Sequence, residues 1–417
     1  MKVVIMAGGK GTRIASVASD IPKPMIRIHD KPILQYQIEC LKKQGLTDIV
    51  LIIGHLGNVI KEYFADGSAY GVSIEYIYET TPLGTAGGLW YLKETVEDDF
   101  LLLNGDIIFD VDFKRFFAYH KQTGCDATIL THPNGHPYDS GIIMTDDANI
   151  VTNWLHKEDA RTIYKNRVNA GIHMLSPRIF GKFGDVAEKK DLDRDILKSL
   201  IPDRKLAAYD SPEYVKDMGT PERYVMVGND IRSGLVEAKN LDKPQRAVFL
   251  DRDGTINVYK GFLTSIDDFE LIAGVSEAIK KLNESRYLVI VVTNQPVIAR
   301  GECSYEELDS IHAKMETLLG MDGAYIDGLF YCPHHPDKGF DGEVPELKIE
   351  CNCRKPKPGL FFMAAEKYNI DISKSYMIGD DMRDMQAGQN AGCKASYLID
   401  EKHSLADWVQ KILSEED

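Results

Sequence analysis

Short apolar runs recur along the chain, each closed by glycine, proline or polar residues. KVVIMA at 2–7, DIVLIIG at 48–54, VSIEYIYE at 72–79 and FLLLNGD at 100–106 are rich in β-branched and aliphatic residues. Runs of this length between turn-formers predict strands. PILQYQIECLKKQG at 32–45 spaces its apolar residues at the helical period and ends on Gly45, which predicts a helix with a glycine stop. Strands alternating with helices predict a mainly parallel sheet. The pattern restarts near residue 246. RAVFLD at 246–251, YLVIVVTN at 287–294 and SYMIGD at 375–380 predict strands, and SYEELDSIHAKMETLLG at 304–320 predicts a helix opened by a Ser304–Glu307 capping box. The pattern therefore predicts an α/β protein of two domains, 1–236 and 246–417, each a mainly parallel sheet flanked by helices. The polar stretch 237–245, EAKNLDKPQ, is expected to link them.

A length of 417 residues and a hydrophobic content of 44% fit two ordinary cores. No apolar run approaches the roughly 20 residues of a membrane span, and the apolar start runs straight into glycines rather than a signal-peptide layout. These features predict a soluble cytoplasmic protein with no membrane partner. The formal net charge is −15. There are 30 basic and 34 acidic residues up to Lys243, and 19 and 30 after it, so both parts are net acidic. That argues against a nucleic-acid partner. Phosphorylated substrates would then need local lysines and arginines and a divalent cation. Seven cysteines, three of them between 332 and 353, suggest a metal cluster rather than a disulfide framework.

The first run ends in AGGKGTR, 7–13. Gly8, Gly9 and Gly11 let the backbone approach a ligand closely, their N–H groups can face phosphate oxygens, and Lys10 and Arg13 add charge. The spacing is neither a P-loop nor a dinucleotide fingerprint. PKP places Lys23 soon after, PLGTAGGL (82–89) is a second glycine stretch containing Gly84 and Thr85, and NGD ends a strand on Asp106. VNAG (168–171) and DMGTPE (217–222) follow. As a set, in this order, these motifs resemble the sugar-1-phosphate nucleotidyltransferases over about residues 1–235, with a Rossmann-like fold. The resemblance implies that Asp106 and Asp217 hold Mg²⁺, in keeping with that ion's preference for one or two carboxylates plus phosphate oxygens. It implies that Arg13 and Lys23 stabilise the nucleotide phosphates, aided by the glycine stretches. Lys157, in LHKED, would hold the sugar phosphate, and Asn169 would contact sugar hydroxyls. Glu79, just before the second glycine stretch, is a candidate reader of guanine, because a carboxylate accepts from its N1 and N2 donors.

FLDRDGTIN, 249–257, sets Asp251 and Asp253 two residues apart at a strand end. Both can reach one Mg²⁺, Asp251 by side chain and Asp253 by backbone carbonyl. Asp251 can attack phosphorus while Asp253 protonates the leaving oxygen, which divides the hydrolysis through an aspartyl phosphate. VVTNQ brings Thr293 and Asn294, CRKPKPG brings Arg354 and Lys355, and IGDDMRD brings Asp380 and Asp381. Together these resemble the haloacid-dehalogenase (HAD) phosphatases over about 246–413. The resemblance implies Asp251 as nucleophile, Asp253 as acid and base, Thr293 and Lys355 on the phosphoryl group with Asn294 and Arg354 nearby, and Asp380 completing the Mg²⁺ site.

Cys332, His334, Cys351 and Cys353 form C-x-H … C-x-C, enough to close a tetrahedral structural Zn²⁺ site. His335 is the spare histidine. This zinc-loop variety resembles the heptose-1,7-bisphosphate 7-phosphatases and the histidinol-phosphate phosphatases. Only the former would deliver a sugar 1-phosphate to the first domain. The pairing therefore resembles a heptose-bisphosphate phosphatase fused to a heptose-1-phosphate guanylyltransferase, with GTP and phosphorylated heptose as partners. In the resembling families the guanylyl route uses the α-anomer. Two alternatives stay open: another sugar 1-phosphate, such as mannose 1-phosphate, or a first domain that only senses nucleotide sugar.

Overall fold

The structure, a computed structural model, describes residues 1–8 and 21–415. The expected ligands Gly9, Gly11 and Arg13 lie outside the described residues. The chain divides into two compact units. The first comprises 1–131, 143–154 and 169–240; the second comprises 132–142, 155–168 and 241–417.

In the first unit, strand Lys2–Met6 runs parallel to Asp48–Ile53 on one side and to Phe100–Asn104 on the other, and Ser73–Tyr78 extends the parallel set. Val168–Leu175 joins antiparallel to Phe100–Asn104, so the nine-stranded sheet is mainly but not wholly parallel. Val3 and Ile5 enter one buried cluster and Val4 the other. A strand buried on both faces explains why KVVIMA reads as continuous apolar sequence rather than as an alternation. Helices Ile33–Lys43, Gly57–Phe64 and Phe113–Thr123 intervene between strands, the last capped by the Asp112 carboxylate.

In the second unit the sheet is entirely parallel. Its order is Gly328–Cys332, Tyr287–Asn294, Arg246–Leu250, Tyr376–Gly379 and Ala395–Leu398. The strand that ends before Asp251 is central and is buried throughout its apolar part. The Tyr305–Met321 helix carries the expected capping box at Ser304 and Glu307.

Two stretches that the sequence pattern assigns to the first domain pack in this second unit. Thr317 Oγ1, on the Tyr305–Met321 helix, accepts from Tyr164 N and donates to Tyr164 O, each at 2.9 Å. Glu316, nearly buried, accepts from Asn166 N at 2.9 Å and from Arg167 Nη1 at 3.1 Å. Backbone at 164–166 lies outside the strands, so helix side chains satisfy its polar groups. The stretch 237–245, where the chain passes from the first unit to the second, is built into the fold. Lys239, Asn240 and Leu241 are buried. Asn240 Nδ2 donates to Asp110 at 2.6 Å, while Leu241 enters an apolar cluster of the second unit and its carbonyl accepts from Asn369. Polar letters hid this burial because their amides find partners inside the fold. No helix among the described residues is long and apolar enough to cross a membrane.

Candidate active sites

The first site grows from the NGD turn. Gly105 N donates to Met6 O at 3.0 Å. A Cβ on Gly105 would stand 2.7 Å from that same oxygen, so the turn tolerates only glycine. Strand Tyr214–Asp217 pairs antiparallel with Ile107–Asp110, setting Asp217 opposite Ile107, and Met218 N donates to Asp106 O at 3.0 Å. Two carboxylates from distant motifs thus share one strand pair. Lys23 Nζ contacts Asp106 Oδ2 at 2.5 Å. Arg223, which the motif reading passed over, grips both oxygens of Asp217 at 2.8 and 2.6 Å.

Glu79 lies against the start of the glycine loop. A Cβ on Gly8 would sit 3.0 Å from its Oε2, and one on Gly88 would sit 2.7 Å from its Oε1. The bare backbone at both positions makes room for the carboxylate. Burial pushes its pKa up, and Oε1 is enclosed without a hydrogen-bond partner among the described residues. Such an orphan acceptor suits a ligand donor. Gly84, at φ +80°, and Thr85 serve the fold directly. Thr85 Oγ1 accepts from Leu192 N at 2.7 Å and donates to Asp191 at 3.2 Å, which pins the second glycine stretch to residues 191–192. Asn169 Oδ1 receives Gly171 N at 3.0 Å and His173 Nε2 at 3.1 Å, and its Nδ2 donates to Asp193 at 3.3 Å. Lys157 sits on an exposed turn after strand Val151–Leu155, in a stretch that belongs to the second unit.

In the second unit, Asp251 N donates to Ile378 O at 3.0 Å, tying Asp251 to the neighbouring strand end. One carboxylate oxygen from each of Asp251, Asp380 and Asp384 falls within a 4.8 Å cluster. Gly254, at φ +78°, borders Asp380 so closely that any side chain would collide with that carboxylate. Burial, then repulsion from Asp251 and Asp384, pushes Asp380 up to about 6. Burial and Asp251 likewise raise Asp384. The buried Lys355 Nζ reaches Asp251 at 2.9 Å and Asp384 at 2.6 Å. Burial opposes its charge, but the two carboxylates outweigh it and hold its pKa above the ordinary value. One lysine against three clustered carboxylates leaves negative charge that suits a divalent cation.

Asp253 faces a different set of groups. Arg252, fully buried, donates to both of its oxygens, to Gln295 Oε1 at 3.0 Å, and lies 3.1 Å from His312 Nε2. Burial, reinforced by Arg252, depresses the pKa of His312 far below the usual value, so it stays neutral and accepts. Gln295 Nε2 donates to Asp253 at 2.8 Å and to Thr293 Oγ1 at 3.0 Å. Asn294 clamps the Lys355 backbone, donating to its carbonyl at 3.1 Å and accepting from its N–H at 2.9 Å.

Cys332, His334, Cys351 and Cys353 converge. Their Sγ and Nδ1 atoms lie 3.2–3.6 Å apart in five pairs. A tetrahedral Zn–S length of about 2.3 Å implies edges of roughly 3.8 Å, so the four donor atoms are spaced to suit Zn²⁺ with small adjustments. His335 turns away and accepts from Asp337 N at 3.2 Å. Arg354 donates to His334 O at 3.2 Å, coupling the cage to the loop that carries Lys355.

Motif reading did not single out Asp384, Arg252, Gln295 or His312. Asp384 had a signal, since it lies four residues after Asp380, one helical turn into Met382–Ala391. Arg252 occupies the unconstrained middle position of the D-x-D motif, and His312 comes from a distant helix.

A nucleotidyl transferase family profile matches residues 2–234, and a HAD-hydrolase-like profile matches 352–411. The D-glycero-beta-D-manno-heptose-1,7-bisphosphate 7-phosphatase of Escherichia coli O6:H1 (strain CFT073) is 40% identical over 176 residues, covering 40% of this chain and 90% of its own length. Among solved structures, HddC from Yersinia pseudotuberculosis complexed with GMP-PN is 27% identical, covers 55% of this chain and 99% of its own, and has a TM-score of 0.48. D,D-heptose 1.7-bisphosphate phosphatase from B. bronchiseptica, complexed with magnesium and phosphate, is 32% identical over 41% of this chain and 99% of its own, with a TM-score of 0.36. The chain is a bifunctional enzyme, a nucleotidyltransferase joined to a phosphomonoester hydrolase. It belongs to the nucleotidyl transferase family and, in its phosphatase part, to the family of the D-glycero-beta-D-manno-heptose-1,7-bisphosphate 7-phosphatases.

Proposed function

We propose that the protein makes GDP-D-glycero-α-D-manno-heptose in two consecutive steps, removing the 7-phosphate of heptose 1,7-bisphosphate and then transferring GMP from GTP to the resulting heptose 1-phosphate. The observation that carries this reading is the joining of a nucleotidyl transferase match to a relative of heptose-bisphosphate phosphatases, covered over 90% of its length. A phosphatase that leaves a sugar 1-phosphate supplies the acceptor such a transferase needs. The curated relative's name specifies the β-anomer. We assign the α-anomer here because the partner domain is read as a guanylyltransferase. Substrates of this kind fit a cytoplasmic location.

In the phosphatase, Asp251 bonds to phosphorus as the bond from phosphorus to the C7 oxygen breaks, and Asp253 gives that oxygen its proton. Water then attacks the phosphoaspartate, Asp253 takes the water's proton, and inorganic phosphate leaves with Asp251 restored. Asp251, Asp380 and Asp384, with the Asp253 carbonyl, would hold Mg²⁺. When bound, the ion neutralises the phosphoryl oxygens and the carboxylates around them. Thr293 and Lys355 bind the transferring phosphoryl group. Cys332, His334, Cys351 and Cys353 would hold Zn²⁺ and so fix the Arg354–Lys355 loop.

In the transferase, an oxygen of the sugar phosphate attacks the α-phosphorus of GTP and pyrophosphate departs. No protein nucleophile is needed, so positioning and charge neutralisation carry the step. Asp106 and Asp217 would hold Mg²⁺, Lys23 and Arg13 bind the nucleotide phosphates, and Glu79 accepts from guanine. The test is a coupled assay of the purified chain with each anomer of D-glycero-D-manno-heptose 1,7-bisphosphate, Mg²⁺ and, separately, GTP, ATP, UTP or CTP. The expected result is phosphate release followed by pyrophosphate and GDP-heptose with GTP and the α-anomer. Absence of phosphate release from either anomer would overturn the reading.

A further inference from the structure

Asp193 is the one carboxylate of the 191–195 cluster not spent on backbone capping. Asp191 accepts from Arg194 N at 2.9 Å and Asp195 accepts from Asp191 N at 2.7 Å. The Asp193 side chain instead meets Asn169 Nδ2 at 3.3 Å. Asn169 is already fixed without it, because its Oδ1 receives Gly171 N and His173 Nε2. Its amide orientation is therefore set: oxygen inward, nitrogen toward Asp193. The amide nitrogen has a second hydrogen, and the carboxylate has a second oxygen, with no partner for either among the described residues.

The surroundings tie this pair to the strand end that precedes Asp106. Gly171, at φ +75°, packs against Asn104, where a Cβ would stand 2.6 Å from Asn104 Nδ2. Asn104 lies two residues before Asp106 on the strand that delivers it. On the other side, the backbone just before Asp193 is tied to the second glycine stretch through Leu192 N and Thr85. Asp193 is thus linked through Asn169 and Gly171 to the strand end before the NGD turn, and through its neighbour Leu192 to the second glycine stretch. Burial, then the charge of Asp191, pushes its carboxyl up to about 7. A carboxyl so placed, with one oxygen on Asn169 and the other open, is suited to meet a ligand hydroxyl.

We propose that Asp193 is a specificity-determining residue of the transferase, forming with Asn169 a donor–acceptor pair that reads two neighbouring hydroxyls of the sugar 1-phosphate. A vicinal diol offers one oxygen to accept from the amide N–H and one O–H to donate to the carboxylate, which matches the pair. The inference rests on the reading of this unit as a sugar-1-phosphate nucleotidyltransferase, and not on which sugar it uses.

The experiment is calorimetric titration of the full-length chain, wild type and the variants D193N and D193A, with heptose 1-phosphate, mannose 1-phosphate and their monodeoxy analogues. Titration with GTP runs in parallel. The expected result is that D193A weakens binding of the preferred sugar 1-phosphate by about tenfold or more, in line with loss of a hydrogen bond to a charged group. GTP affinity stays unchanged, and one monodeoxy analogue that wild type rejects binds both proteins equally. D193N, which keeps shape and one acceptor, falls between them. Equal loss of GTP and sugar binding, or no loss of either, overturns the assignment, as does a sugar effect that is the same for every deoxy analogue. Wild type that binds a sugar other than heptose refutes the heptose reading and leaves the Asp193 comparison intact on that sugar.

Discussion

Arg252 Nη2 stands 2.8 Å from each carboxylate oxygen of Asp253, the next residue in the chain. The guanidinium is fully buried, and it in turn rests on the neutral His312. The acid–base residue of the proposed hydrolysis is therefore held in a fixed orientation by its own neighbour. Lysine cannot reproduce the fork that touches Asp253, Gln295 and His312 together. R252K is expected to lower kcat for phosphate release by about 10²-fold with a small change in KM, toward the 10²–10⁴-fold range of a lost general acid–base. Steady-state phosphate assays beside D253N check this. A rise in KM with kcat unchanged would place Arg252 in substrate binding instead.

The four-residue cage gives a separate expectation. Cys353 immediately precedes Arg354 and Lys355, so releasing the cage frees the loop that carries Lys355, the lysine proposed to bind the phosphoryl group. C353S should lose about one equivalent of zinc by mass spectrometry, melt at lower temperature, and lose most phosphatase activity. Pyrophosphate release by the transferase should persist. A variant that keeps full phosphatase activity without zinc would show that the metal does not support this loop.

Glu79 supplies a test of base choice. Its enclosed Oε1 lacks a partner among the described residues, and glutamine at this position would present a donor where guanine also donates. E79Q should cut the preference for GTP over ATP by about 10–100-fold, measured as a ratio of kcat/KM. An unchanged ratio would assign the base to other groups.

How much of this was legible in the sequence depended on whether the signal was local. Strand ends carrying Asp106, Asp251 and Asp380 could be read because each closes a short apolar run. The Ser304 capping box could be read because both partners lie within one turn. The choice of His334 over His335 followed from alternation along an extended segment, and the structure directs His335 elsewhere. Non-local partners were not legible. His312 reaches Arg252 from a helix sixty residues on, and nothing in its helical pattern marks it. In the stretch 237–245, polarity gave no sign that Asn240 would be buried on Asp110.

Glu316 offers a stability test. It is the acceptor for Asn166 N and for Arg167, and both contacts are largely enclosed. E316A leaves a backbone N–H and a guanidinium without that acceptor, at a cost of about 2–4 kcal/mol. The melting midpoint of the second unit should fall by roughly 5–10 °C. Calorimetry resolves this, and an unchanged midpoint would mean that water replaces the carboxylate.

The packing of 164–167 on the Tyr305–Met321 helix has a consequence for how the gene can be divided. The second unit is assembled from chain on both sides of residue 241. A stop codon there would strip Tyr164 and Asn166 of Thr317 and Glu316, and a fragment beginning there would expose the helix face those residues cover. Two separately translated enzymes would each carry a wound at this place. The fusion is inherited as one folding problem, and separating its activities requires new surface residues at both edges of the cut.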